Sequence, residues 1–307
     1  MTIPLQPILV VLVYRGGERF KRALDSITKS ERFFSRIILS VTAHRDSPDM
    51  QMAESFRDQN LERAEIICTG TELPTMSHQA FWINYLANTG VNPQDWIYWL
   101  SYDDEVKASG ITKLVDEAGN WPLEPGTAYF GPWAMRHEDA SQLFSGPWDT
   151  KLESWTSFPL EGPTKLPVVR WVSNQVLQPT YIQMSGSVAT FESHQRLVQS
   201  TPRKKGPMRI ELATASAVNN LYVAEFKEPV SIIYGRPNSD RSTYGAAARI
   251  EDHHLAIWLV RYQLRHAGAI PRLAGAGVSL LARYARVLLG KGAMPSENWV
   301  VRGSVEP

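Results

Sequence analysis

A short apolar run that ends in consecutive acids is the most constraining feature of this sequence. Residues Trp96–Leu100 have the length and the aromatic content of a buried strand, and Asp103, Asp104 and Glu105 follow almost at once. A buried strand that ends in clustered carboxylates places negative charge at the carboxyl edge of a sheet, where open α/β folds bind ligands. The segment therefore predicts an α/β fold with an acidic site at its strand ends.

The acidic turn allows two interpretations. Carboxylates that lie close together repel one another and need a compensating cation, and hard oxygen ligands suit Mg²⁺ or Mn²⁺. A metal held by one or two carboxylates keeps positions open for a diphosphate. The alternative is a solvated acidic turn after a core strand, and this segment alone leaves both interpretations open.

Strand and helix patterns alternate along the first hundred residues. The strands are continuous apolar runs, whereas the helices carry apolar residues at a spacing of three to four. The pattern predicts strands at 8–14, 36–42, 64–69 and 96–100 and helices at 18–28, 49–60 and 77–88. Strands separated by helices pair in parallel through right-handed crossovers. This half is therefore predicted to be a nucleotide-binding α/β layer.

The later part of the chain has a different texture. Proline and tryptophan recur from Asn120 to Thr180, which favours short strands and ordered loops over long helices. Beyond it, the pattern predicts a small-residue turn and a strand within 182–192, a strand at 230–234, and helices at 209–219, 251–266 and 270–289.

Charge and cysteine content limit the partners and the compartment. The 307-residue chain has 32 basic and 31 acidic residues, and this net charge of +1 does not indicate nucleic acid as a partner. The single cysteine, Cys68, excludes an intrachain disulfide and favours a reducing compartment, and we expect it to be a buried structural thiol. The N-terminal apolar run is too short to span a bilayer, so a cytoplasmic protein is expected.

Taken in order, these segments resemble the family 2 glycosyltransferases of the GT-A fold. The likeness covers about residues 7–250 and is carried by four stretches: 7–27, with the first strand and helix; 100–104, with the acidic turn; 186–191, a glycine-led strand; and 228–239, a closing strand and loop. The resemblance implies a GT-A-like nucleotide-diphospho-sugar transferase fold, with a mostly parallel central sheet flanked by helices and with C-terminal helices. Bacterial relatives commonly build surface polysaccharides.

The resemblance also implies a domain organisation. Residues 1–250 would form the glycosyltransferase domain, with a nucleotide-sugar-binding half at 1–118 and an acceptor half at 119–250. Residues 251–307 would form a C-terminal helical extension.

By the same resemblance, the chain is expected to be an inverting glycosyltransferase. It would move a sugar from a nucleoside-diphosphate sugar to a hydroxyl of a glycan or a lipid-linked glycan. Glu211 is the implied general base, and Mg²⁺ or Mn²⁺ is the implied cofactor, with Asp103 and Asp104 as its ligands. The implied contacts with the nucleotide sugar are Tyr14, Arg15, Asp103, Asp104 and Arg236.

Three departures from the family pattern keep other functions open. Ser101 stands where the family usually has the first aspartate of its acidic motif, residues 41–48 lack the usual base-binding aspartate, and Leu212 replaces an aspartate after Glu211. The first two changes keep open, as one alternative, a GT-A-like protein that binds sugar or nucleotide without catalysis. A nucleotidyltransferase is another, although residues 14–17 match poorly the glycine-rich basic turn that it would need.

The C-terminal segment 270–289 predicts a basic amphipathic helix. Arg272, Arg283 and Arg286 fall within about 60° of one another on a helical projection, and apolar side chains cover much of the opposite side. This pattern predicts contact with the cytoplasmic membrane face, where a lipid-linked acceptor would lie. Packing of the helix on its own domain or on a second subunit is the alternative.

Overall fold

A computed structural model of the chain describes residues 6–60, 63–118, 127–130, 133–137, 143–145, 164–166, 184–200, 220–223 and 229–235. Three predicted helices, at 209–219, 251–266 and 270–289, lie outside these residues, and so do Glu211 and Arg236. Membrane contact through 270–289 and the boundaries after residues 118 and 250 therefore stay predictions.

The first half of the chain alternates strands and helices as the sequence pattern predicts. The strands are β1 (Ile8–Val13), β2 (Arg36–Val41), β3 (Ala64–Cys68) and β4 (Trp96–Ser101), and the helices are α1 (Glu18–Thr28), α2 (Pro48–Gln59) and α3 (Thr75–Asn88), with a 3₁₀ turn at Glu31–Phe33. Every predicted boundary in this half is confirmed to within about two residues, the usual scatter of such assignments.

The second half contains short strands, as predicted for the proline- and tryptophan-rich segment. The described elements are β5 (Glu105–Val106), α4 (Ala108–Ala118), β6 (Thr127–Phe130), β7 (Trp133–His137), β8 (Leu143–Ser145), β9 (Thr164–Leu166), β10 (Ser187–Thr190), α5 (Phe191–Ser200), β11 (Asn220–Val223) and β12 (Ser231–Gly235). The sequence pattern does not indicate α4 or α5. The strand predicted within 182–192 ends at Thr190, and α5 begins at Phe191.

Two sheets organise these strands. The larger sheet has the order β3-β2-β1-β4-β10-β6-β11-β9, and β3, β2, β1 and β4 pair in parallel. Strand β10 then runs antiparallel between β4 and β6. The smaller sheet has the order β5-β12-β7-β8, so the chain passes directly from β4 of one sheet to β5 of the other. This mostly parallel sheet with flanking helices confirms the predicted fold class.

Helices cover both faces of the parallel strands. All six residues of β1 are buried, as expected for a strand with two covered faces. One face packs against α1 through the predicted stripe of Phe20, Ala23, Leu24 and Ile27, all of them buried. The opposite face lies against α3, because Ser40 of β2 contacts His78 of that helix. No helix in the described ranges is long and apolar enough to cross a bilayer.

The prediction of a buried Cys68 was wrong. Cys68 is the last residue of β3, and β3 is the edge strand of the larger sheet, so the thiol is only half-buried. Its Sγ lies 3.4 Å from the carbonyl oxygen of Ala43, in the loop that follows β2.

Two histidines are buried on the α3 side of the sheet. The Nε2 atom of His78 lies 2.8 Å from Ser40 Oγ, and burial lowers the pKa of His78 to about 4. His194 of α5 is fully buried, with its ring packed edge-on to Trp82 at a centroid distance of 5.1 Å. Burial lowers the pKa of His194 to about 3. Both side chains are therefore neutral in the folded protein near pH 7.

This burial predicts loss of stability in mild acid. Below the ordinary histidine pKa of 6.5, the unfolded chain binds protons that the folded chain excludes, so the free energy of unfolding should fall as the pH drops from 6.5 towards 4. Each histidine contributes a slope of up to about 1.4 kcal/mol per pH unit. Urea unfolding at pH 7.5, 6 and 5 measures the slope.

Two variants assign this slope to its source. His194→Phe keeps an aromatic ring against Trp82 and should flatten the pH dependence, whereas His44→Gln, at an exposed position, should leave it unchanged. Equal stability of the wild-type protein at pH 7.5 and pH 5 would contradict the assignment.

Candidate functional site

The candidate site lies at the carboxyl edge of the parallel strands. Backbone hydrogen bonds join the segments that leave them: Thr42 N donates to Val13 O at 3.0 Å, and Tyr102 N donates to Leu12 O at 3.1 Å. On the far side, Thr69 N donates to Val41 O at 3.1 Å. The residues that follow β1, β2, β3 and β4 therefore lie side by side, as ligand sites of open α/β sheets require.

Asp49 of α2 occupies the N-terminus of α1. Its two carboxylate oxygens accept hydrogen bonds from Gly16 N at 2.8 Å and Gly17 N at 2.9 Å, and the residue is 5% exposed. Gly16 has no room for a side chain, because an added Cβ would lie 2.5 Å from the Cβ of Phe20. Helix N-termini bind anions, and here the anion is the chain's own carboxylate. These turn amides are not directed at a nucleotide phosphate, as they would be in a glycine-rich nucleotidyltransferase loop.

We predict that Asp49 stabilises the joint between β1 and α1. Asp49→Asn keeps the shape but replaces one acceptor oxygen with an NH₂ group that faces a backbone N–H, which should lower the free energy of unfolding by about 2 kcal/mol. Asp58→Asn removes an exposed acid from the same helix and is the matched control. Urea unfolding compares the two variants, and equal small effects would contradict the role of Asp49.

The segment after β1 places Tyr14 and Arg15 at this edge. Arg15 has a backbone φ of +50°, a left-handed conformation that is uncommon outside glycine, and strained residues of this kind cluster at functional sites. Its guanidinium lies 5.1 Å from the centre of the Tyr14 ring, and the Arg15 side chain is 69% exposed.

Glu72, in the loop after β3, holds these two side chains. Its carboxylate accepts two hydrogen bonds of 2.8 Å from Arg15 and one of 3.4 Å from the Tyr14 hydroxyl. The Arg15 guanidinium is the main cause of a lowered pKa of Glu72. The sequence pattern does not single out Glu72, although an acid in a loop at this edge was an available signal.

The three consecutive acids of the turn have different surroundings. Asp103 is half-buried and accepts a hydrogen bond at Oδ1 from the Ser101 hydroxyl. Asp104 is buried, and its Oδ1 accepts from the backbone N–H of Tyr234 in β12 at 3.2 Å. Glu105 accepts a hydrogen bond from the Tyr234 hydroxyl. The turn therefore ties the end of β4 to β12.

These surroundings decide how the turn fits a metal. No group of three or more histidine, cysteine, aspartate or glutamate side chains within the described ranges is arranged to hold a metal ion. Asp104 and Glu105 accept hydrogen bonds from Tyr234 of β12, whereas Asp103 accepts one from the Ser101 hydroxyl of its own turn. Mg²⁺ is commonly held by one or two carboxylates together with substrate phosphates. The turn fits a metal that Asp103 and a diphosphate hold jointly.

A turn of small residues at Ser185 and Gly186 contacts the end of β4. The hydroxyl of Ser185 accepts from Ser101 N at 3.0 Å, and the Ser185 carbonyl accepts from the Ser231 hydroxyl at 2.9 Å. Gly186, the residue after Ser185, has a φ of +87°, and an added Cβ would lie 2.6 Å from Ser231 Oγ. The strand that carries the acidic turn is therefore held against β12 at close distance.

Comparison with known proteins establishes the fold. No family model matches the chain, and no curated protein matches it. Among solved structures, residues 1–349 of S. aureus TarS in complex with UDP align with a TM-score of 0.56 at 8% identity, covering 92% of this chain and 73% of that one. The TarS 1–349 structure without a named ligand gives a TM-score of 0.51 at 11% identity, covering 87% and 73%.

A mannosyltransferase from Pyrobaculum calidifontis, solved with GDP-Man and Mn²⁺, gives a TM-score of 0.49 at 11% identity, covering 97% of this chain and 84% of that one. The two TarS alignments show that the chain has a GT-A-like fold.

Proposed function

We propose that this chain is a glycosyltransferase that moves a sugar from a nucleoside-diphosphate sugar to a hydroxyl acceptor. The observation that carries the proposal is the acidic turn of a GT-A-like sheet, where Asp103 lies at the same edge as Tyr14 and Arg15. TarS, which shares the fold, was solved in complex with UDP, and this supports a nucleotide at that edge.

Donor binding would use the charges at this edge. Arg15, which pairs with Glu72 in this structure, is a proposed contact for the donor, and the Tyr14 ring is proposed as a surface for the nucleobase. A bound Mg²⁺ or Mn²⁺ would neutralise the charge that develops on the leaving diphosphate. Asp103 is its proposed ligand, and Asp104 supports the turn through Tyr234. Arg236, which follows β12, is proposed as a second cation for the diphosphate.

The proposed transfer is a direct displacement. The acceptor oxygen forms a bond to the anomeric carbon while the bond from that carbon to the diphosphate oxygen breaks, and the diphosphate leaves with the bonding pair. Glu211 takes the proton of the acceptor hydroxyl. A single displacement without a protein nucleophile inverts the anomeric centre. The proposed acceptor is a glycan or a lipid-linked glycan of the bacterial surface-polysaccharide class.

A panel of nucleotide sugars tests the donor and the role of Asp103. The protein is incubated with each donor and Mn²⁺, with free or lipid-linked glycans as acceptors, and nucleoside diphosphate release is measured. Asp103→Asn should lower metal-dependent release on the order of 100-fold, because the turn loses its metal-binding charge. Asp116→Asn, which removes an exposed acid on α4, is the control.

Other outcomes of this panel identify the alternatives. Donor binding without release, with every acceptor, would indicate a GT-A-like binding protein. A separate incubation with nucleoside triphosphates and sugar phosphates covers the second alternative, and pyrophosphate release there would indicate a nucleotidyltransferase.

The proposed base has its own test. Glu211→Gln keeps the size and the hydrogen-bonding capacity of the side chain but removes its basicity, so turnover should fall on the order of 100-fold with little change in donor affinity. Glu54→Gln, at an exposed position on α2, is the control. Loss of donor affinity with turnover retained would make Glu211 a binding residue instead.

A further inference from the structure

We propose that Arg22 of α1 is a positioning residue that holds the acidic turn in the geometry needed for a metal and a diphosphate. The inference rests on the proposed function, because it assigns a residue to the same site. It also makes a claim about the turn alone, which is measurable without any ligand.

One guanidinium group contacts the turn on both sides of Asp104. Arg22 Nη2 donates to the backbone carbonyl of Asp103 at 3.1 Å, and Arg22 Nε lies 3.5 Å from Glu105 Oε1. The guanidinium carbon also stacks over the Tyr234 ring, 3.4 Å from its centroid. Arg22 therefore contacts the residue proposed as metal ligand and the β12 side chain to which the turn is tied.

The chemistry of this contact favours arginine. A guanidinium is planar, so it donates hydrogen bonds at its edge while its face stacks on an aromatic ring, and a lysine ammonium lacks this geometry. Its charge also offsets the mutual repulsion of Asp103, Asp104 and Glu105 before any metal binds. Arg22 of α1 thus supplies part of the positive charge that these clustered carboxylates need.

The helix contacts the turn at a second point on the same face. Ser26, one helical turn after Arg22, accepts a hydrogen bond at its buried Oγ from Val106 N at 3.0 Å. The N-terminal end of α1 is in turn fixed by Asp49 through Gly16 and Gly17. Helix α1 thereby sets the position of the acidic turn relative to β1, and Arg22 contacts the backbone carbonyl of Asp103 directly.

Amide hydrogen exchange of residues 101–106 tests this role without a ligand. Arg22→Met keeps the length of the side chain but removes the charge and the donors, and should speed exchange in the turn by about tenfold while β1 and β2 keep their protection. Lys21→Met is the matched control, because Lys21 is an exposed neighbour that pairs with Asp25. Arg22→Lys and Tyr234→Phe are milder changes for the case that Arg22→Met fails to fold.

A binding titration supplies the readout that a merely structural role would not change. Binding of UDP and GDP is measured as a function of Mn²⁺ concentration. Arg22→Met should raise the Mn²⁺ concentration for half-maximal binding by about tenfold, with nucleotide affinity nearly unchanged at saturating Mn²⁺. Arg22→Lys should recover part of this loss through its charge and leave exchange in the turn elevated.

The outcomes separate this inference from the proposed function. Unchanged exchange in residues 101–106 overturns the role of Arg22, even in a protein that binds nucleotide. Faster exchange across β1 and β2 as well makes Arg22 a general stability residue and also overturns it. Failure of the wild-type protein to bind either nucleotide, or any donor of the nucleotide-sugar panel, with Mn²⁺ overturns the proposed function. Faster exchange confined to the turn with a raised Mn²⁺ requirement supports both.

Discussion

Three adjacent carboxylates repel one another, and in this structure each accepts a hydrogen bond at the junction between the two sheets. Asp103 meets a hydroxyl, Asp104 meets a backbone N–H and Glu105 meets a phenol. The last two partners both belong to Tyr234. The acids therefore anchor β12 beside the end of β4. Their hydrogen bonds offset the electrostatic repulsion among the three carboxylates, which would otherwise open the turn.

At the same edge, positive charge comes from arginine side chains and not from the N-terminus of the first helix. In many nucleotide-binding α/β folds, the first helix N-terminus contacts the phosphate. Here Asp49 fills that position, and positive charge near the edge is carried by side chains: Arg15, which pairs with Glu72, and Arg22, which contacts the acidic turn.

The local pattern of the sequence predicted the strands and helices better than it predicted which residues contact the side chains of the candidate site. The parallel strands and α1 to α3 follow directly from apolar periodicity, because each buries a face that its own residues define. Helix α5 was missed because Phe191 continues the apolar run of β10, and Cys68 was misplaced because edge position depends on strand order. Tyr14, Arg15, Asp103 and Asp104 could be placed at one edge from the strand ends alone.

The partners of those residues depend on contacts between distant segments. Asp49 lies 33 residues from Gly16, Glu72 lies 57 residues from Arg15, and Arg22 lies 81 residues from Asp103. No periodicity connects such pairs, so their roles emerge only when the sheet brings the segments together.

The link between Asp104 and Tyr234 has a consequence for the order of events during synthesis. The two residues are 130 positions apart, whereas β1 to β4 need only the first 101 residues. Because domains begin to form from the N-terminal side as the chain emerges from the ribosome, the parallel strands have all their residues long before Tyr234 is added. The acidic turn therefore acquires its last anchor late, and a nascent chain cannot hold a finished site until most of its length has been translated.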